Sequence, residues 1–152
     1  MCVVRIDHVE VRCDRIVADA TVLDEHFAYT SPELIDALRL TYPNLLNHTC
    51  VNGVGETFDS VATDTSLPHL IEHMAIENQV RFEMKADKAA SDFAYVGKSF
   101  WTDRASMKAR IELNYANDLV ALAALRDAVR DLNQTVSLLM RRREAPHRVI
   151  QD

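Results

Sequence analysis

The chain has 152 residues, enough for one domain with a sizeable buried core. Its hydrophobic content of 48% and charged content of 26% are ordinary for a globular protein. A net charge of −6 argues against generic nucleic-acid binding, which needs a basic surface to displace counterions. Cys2, Cys13 and Cys50 are too few for a disulfide framework, so a reducing, cytoplasmic setting is expected. The first residues lack the basic start and sustained apolar stretch of a signal peptide, and no apolar run approaches the about 18 residues of a membrane span. Gly53, Gly55 and Gly97 are the only glycines, and they spell neither G-x-G-x-x-G nor a Walker A loop. No nucleotide-phosphate cradle is therefore recognisable.

In chain order, Val3 to Val11 carries apolar residues at Val3, Ile6, Val9 and Val11, and Arg15 to Leu23 carries Ile16, Val17, Ala20 and Val22. Both read as strands, joined by a turn at Cys13-Asp14. Ser31-Pro32-Glu33 opens a helix that runs to about Leu40, ahead of Pro43. His48 to Ser66 reads as a loop rich in Thr, Asp and Asn. Thr65 or Ser66 then caps a second helix, with Pro68 in its first turn, continuing to about Phe82. Lys85 to Asp92 reads as a polar loop, and Phe93 to Trp101 and Met107 to Tyr115 as two further strands. Asn117 caps a last helix to about Met140.

Along that last helix Leu122, Leu125, Val129, Leu132, Val136 and Leu139 follow a 3-4-3-4-3 spacing. Such a seam lies across the helix's own sheet, or in its distal half forms a homodimer seam. The predicted architecture is α+β: a mixed or antiparallel sheet of about four strands against two to three helices, in a single domain spanning 1–140. Arg141-Arg142-Arg143 begins a basic tail over 141–152, expected to fray.

The second helix carries the chemistry. His69-Leu70-Ile71-Glu72-His73 spells H-x-x-E-H. Two imidazoles four residues apart on a helix stand on one face, one turn apart, and both can reach one divalent cation. Glu72, beside them, is the candidate base that takes a proton from water. Ile76 and Val80 share the histidine face, and Leu70, Ile71, Met74 and Ala75 cover most of the rest, so the helix is expected to be buried. Buried imidazoles and carboxylates need partners, and Zn²⁺ would satisfy them. The alternative is a surface helix whose His and Glu side chains pair locally.

The third protein ligand stays open. Glu77 lies eight residues after His69, about 12 Å along the axis. It is either a ligand or a group that orients His73. His48, Cys50, Asp64 and Glu112 are the other candidates. Lys98, beside Gly97, is a candidate contact for an anionic part of a substrate; the plainer reading is a solvated lysine. His8, His26 and His147 receive no role.

Tyr42-Pro43-Asn44-Leu45-Leu46-Asn47-His48-Thr49-Cys50 and Ser66-Leu67-Pro68-His69-Leu70-Ile71-Glu72-His73-Met74-Ala75-Ile76-Glu77-Asn78-Gln79 resemble the N-terminal domain of cyanophycin synthetases. That domain carries a similar H-x-x-E-H-x-A-x-E-x-Q helix after a similar H-x-C loop. The likeness continues through Gly97-Lys98-Ser99 and Glu112-Leu113-Asn114-Tyr115, covering roughly residues 38 to 136. It implies an α+β domain that, in the synthetases, precedes ATP-grasp and Mur-ligase-like domains. Neither is found in these residues, so polymer synthesis from ATP is not expected of them. In some members the resemblance further implies a metallopeptidase-like site acting on an Asp–Arg polymer. Carried over, His69, His73 and Glu77 bind the metal and Glu72 is the base. The sequence departs from the family where Asn52-Gly53-Val54-Gly55-Glu56 replaces a Gly- and His-rich stretch, and where Lys98, Phe100 and Trp101 replace arginines.

Two functional readings follow. The first is a zinc-dependent hydrolase of a peptide or isopeptide bond, with a cyanophycin-like or other Asp/Arg-containing substrate. The second is a non-catalytic module that binds a polymer or a partner chain. A third zinc enzyme with the same signature, S-ribosylhomocysteine lyase, takes its last ligand from a downstream cysteine, and no cysteine follows Cys50 here.

Overall fold

Two hairpins build the sheet, and their apolar alternation decides which face is covered. A computed structural model of the chain describes residues 1–85 and 93–145. Strands β1 (Val4–Val11) and β2 (Arg15–Val22) form the first hairpin. Its turn closes with the Arg12 amide donating to the Arg15 carbonyl at 2.8 Å, with Cys13 and Asp14 between them as the sequence predicts. Strands β3 (Gly97–Asp103) and β4 (Lys108–Asn114) form the second hairpin. The order is β1-β2-β4-β3 with every pair antiparallel, which resolves the expected "mixed or antiparallel" sheet to fully antiparallel.

The register puts Ile16 opposite Leu113 and Ala18 opposite Ile111, with Ser99 on the other side of Ile111. These residues face the helices. The opposite face pairs Asp19 with Arg110, and Val17 and Lys98 with Glu112.

Three α-helices accompany the sheet: α1 (Pro32–Leu38), α2 (Leu67–Lys85) and α3 (Asp118–Glu144). The fold is α+β, as expected. Side-chain oxygens cap the helices where the sequence placed them. Ser31 Oγ accepts from the Leu34 amide, Asn117 Oδ1 from the Leu119 and Val120 amides, and Ser66 Oγ from the His69 amide. Helix α2 packs on β3 and β4, α3 reaches β1 and β2, and the two helices pack on each other. The core is Ile16, Ile111 and Leu113 from the sheet, Leu70, Ile71 and Met74 from α2, and Leu125, Leu132 and Val136 from α3. All six seam residues of α3 lie in this core or pack against it, so the heptad pattern is used within the chain.

Three boundaries differ most from expectation. Helix α2 runs to Lys85 and α3 to Glu144, so Arg141–Arg143 are helical. Basic side chains in a last turn complement the helix dipole, and Arg143 also pairs with Glu33 in the first turn of α1. The rest of the expected polar loop and tail, 86–92 and 146–152 with His147, lies outside the described residues. Strand β3 begins at Gly97 rather than Phe93. The segment before it is held by a side chain: Asn114 Oδ1 accepts from the Val96 amide at 2.8 Å and its Nδ2 donates to the Ala94 carbonyl at 2.9 Å.

At the other edge of the sheet Asn133 of α3 grips the start of β1. Its Oδ1 accepts from the Val3 and Val4 amides at 2.8 and 3.1 Å, and its Nδ2 donates to the Val4 carbonyl at 3.0 Å.

Candidate metal centre

The loop ahead of α2 folds back on itself and delivers a thiol to the histidine face. Two short 3-10 turns, Leu45–Asn47 and Phe58–Ser60, frame it. Between them the Cys50 amide donates to the Glu56 carbonyl at 3.1 Å and the Phe58 amide to the His48 carbonyl at 2.8 Å. Phe58 is fully buried, with its ring centroid 4.3 Å from that of His73 and 5.2 Å from that of His69. This wedge fixes both imidazole planes.

Cys50 Sγ stands 3.4 Å from His69 Nε2, and His73 Nε2 stands 3.2 Å from the same atom. One ligand atom from each of the three residues lies within 4.8 Å of the others, close enough to bind one metal ion. Two nitrogens held tetrahedrally at about 2.0–2.1 Å from zinc stand about 3.3 Å apart, and a nitrogen and a sulfur about 3.6 Å. The His69–His73 spacing of 3.2 Å and the Cys50–His69 spacing of 3.4 Å are close to these values.

The far nitrogens support the same tautomers. His69 Nδ1 is 2.8 Å from Thr65 Oγ1, and His73 Nδ1 is 3.2 Å from His48 Nδ1. With a proton on each Nδ1, both Nε2 lone pairs point into the cluster, and Thr65 and His48 accept the outer protons. Burial lowers the pKa of His48 and His69. Burial, helped by the neighbouring His69 and His48, brings His73 down to about 3. All three are then neutral near pH 7, the form that ligates a metal.

Glu72 is buried, and its Oε2 accepts from Ser99 Oγ of β3 at 2.8 Å. Burial raises its pKa to about 7, against the lowering effect of the Ser99 hydrogen bond. Gly97 makes this approach possible: a Cβ there would lie 2.9 Å from Glu72 Cγ and 2.8 Å from the Glu112 carbonyl oxygen. Glu72, His69, His73 and Cys50 all line one cleft of about 700 Å³.

The remaining candidates fall elsewhere. Glu77 is buried, but its Oε1 accepts from the Asn44 amide at 2.7 Å, and it is not in the cluster. Its Oε2 has no hydrogen-bond partner among the described residues. Glu112 sits on the opposite face of the sheet, paired with Arg15 at 3.5 Å and Lys98 at 3.1 Å, and Asp64 is exposed. Lys98 reaches the cleft edge while its ammonium pairs with Glu112. Of the alternatives for a third ligand, the structure brings in Cys50 directly and His48 as the neighbour of His73. Phe58 and Ser99 receive no site role from the sequence, and Thr65 reads there only as a candidate helix cap. Only the Gly97-Lys98-Ser99 stretch, already part of the family resemblance, signalled one of them.

The fold is α+β, and Cys50, His69 and His73 stand close enough to hold one metal ion, with the buried Glu72 carboxyl lining the same cleft. The chain belongs to the cyanophycin synthase-like N-terminal domain family, whose model matches residues 15–137. No curated protein and no solved structure gives a significant match. Among the described residues no helix is long and apolar enough to cross a membrane.

Proposed function

We propose that this domain is a zinc-dependent hydrolase of a peptide or isopeptide bond. Cys50, His69 and His73 hold the metal, and Glu72 is the proton-transfer group. The observation that carries the reading is the position of a raised-pKa carboxyl in the same cleft as the three ligand atoms. When bound, zinc supplies Lewis acidity toward a carbonyl oxygen and makes water more acidic. Glu72, whose pKa burial raises to about 7 in the metal-free chain, takes a proton from water as the water oxygen bonds to the carbonyl carbon, and returns it to the amine nitrogen as the C–N bond breaks. Ser99 orients its carboxyl, and Thr65 and His48 hold the imidazoles in the ligating tautomer. Glu77 takes a structural part, tying α2 to the Asn44 turn.

Metal analysis of the purified chain tests the reading. One zinc ion per chain is expected, lost in His73→Ala and in Cys50→Ser. A chain that stays metal-free after zinc is supplied would leave only the module that binds a polymer or partner.

A further inference from the structure

The cleft has two ends of different chemistry, and a single helix stripe makes both. His69, His73, Ile76 and Val80 follow one another at three- and four-residue steps along α2, and all four line the cleft. The first two carry the cluster, and the next two are aliphatic. Phe93, Tyr95 and Val96, from the segment that precedes β3, line the same cleft. The rings of Phe93 and Tyr95 pack edge to face at 4.9 Å. Much of this apolar surface is open: Val96 is 59% exposed, Val80 40% and Phe93 37%. Clustered exposed apolar side chains beside a polar site mark a ligand-binding wall.

The charges of the cleft are equally informative. Among the described lining residues only Glu72 and Lys98 carry ordinary charged side chains. Glu72 is engaged by Ser99, and Lys98 by Glu112. At the aliphatic end, Ile76, Val80, Phe93, Tyr95 and Val96 offer no charged side chain, so a guanidinium or carboxylate seated among them would lack an ion partner in those five residues. Burying either unpaired is costly. An aliphatic or aromatic side chain instead gains about 25 cal/mol for each Å² it covers.

We infer that the Ile76–Val80–Phe93–Tyr95–Val96 trough takes an apolar side chain, so that the substrate is a peptide or acyl amide with an aliphatic or aromatic residue next to the cleaved bond. The inference deepens the hydrolase reading and rests on it. It departs from an Asp–Arg polymer as the substrate.

Methyl-resolved NMR titration tests the trough without relying on turnover. The chain, metal-free and zinc-loaded, is titrated with the N-acetyl amides of phenylalanine, leucine, arginine and aspartate. The phenylalanine and leucine amides are expected to shift the Ile76, Val80 and Val96 methyl signals and to bind at least tenfold tighter than the other two. Val80→Glu, at a part-exposed position, is expected to weaken the phenylalanine amide at least tenfold and to favour the arginine amide. Equal or tighter binding of arginine or aspartate to the parent chain overturns the inference, as do shifts confined to other methyls. The hydrolase reading fails separately. Zinc-loaded chain that binds the phenylalanine amide in the trough yet cleaves no phenylalanyl or leucyl peptide would remove the reaction and leave the binding preference standing.

Discussion

Helices α2 and α3 lie side by side over one sheet, yet they bury different things. The buried residues of α3 are all apolar: Ala121, Ala124, Leu125, Ala128, Leu132 and Val136. Those of α2 include Glu72, His73, Glu77, Asn78 and Gln79. Desolvating five such side chains is costly, so each must find a partner. Asn78 Nδ2 donates to the Tyr42 hydroxyl and the Ala124 carbonyl, and Gln79 Nε2 to the Asn114 carbonyl. Glu77 grips the Asn44 amide. The C-terminal polar set of α2 thus holds neighbouring elements. The N-terminal set, His69, Glu72 and His73, faces a cleft. The difference separates a helix whose buried residues are all apolar from one whose buried polar groups divide between scaffold and site.

Four substitutions or conditions test that division, beginning with the largest effect. Glu72→Gln is expected to lower hydrolysis by about 10²–10⁴-fold while zinc content is unchanged. Unchanged turnover with metal retained would remove Glu72 as the base. In α3, Leu132→Ala should cost about 2–5 kcal/mol of stability in a urea titration and leave zinc stoichiometry intact. Loss of metal there would mean that the core helix and the site are not separable. Thr65→Val removes the acceptor for His69 Nδ1 and should weaken zinc affinity by about tenfold to a hundredfold, read by competition with a chelating dye.

The fourth and mildest is acid sensitivity of the metal-free chain. His73 falls from 6.5 unfolded to about 3 folded, so below pH 6.5 the unfolded chain binds the proton first. Stability should therefore decline as pH falls from 6.5 towards about 3. Glu72 acts in the opposite sense, since its folded pKa of about 7 lies above 4.5 and its burial costs stability as pH rises through that interval. Metal-free Glu72→Gln should accordingly show the histidine effect without the opposing contribution of Glu72. A flat profile of unfolding midpoints below pH 6.5 in that variant would contradict the burial of neutral His73.

Much of the scaffold was legible because its signals are local. The Cys13-Asp14 turn, the Ser31 and Asn117 caps and the strand alternation each depend on a few adjacent residues. The strand start at Gly97 was not, because Asn114, far along the chain, captures the backbone ahead of it. The same contrast holds at the site. Helical spacing alone puts His69 and His73 together. The choice among third ligands depended on how the Cys50 loop folds around Phe58, which no spacing encodes. Glu77 was attractive because it shares the signature helix, but it lies two turns on, where the Asn44 turn claims it.

The clasp of Asn133 on Val3 and Val4 has a kinetic consequence. These bonds join residues 130 and 129 positions apart, so they close nearly the whole chain into a loop. The edge of the sheet can thus be secured only after the final helix has docked, and contacts of such long range slow folding. Amide exchange at Val3 and Val4 then becomes a clock for the last assembly step, and it should be lost early when α3 loosens.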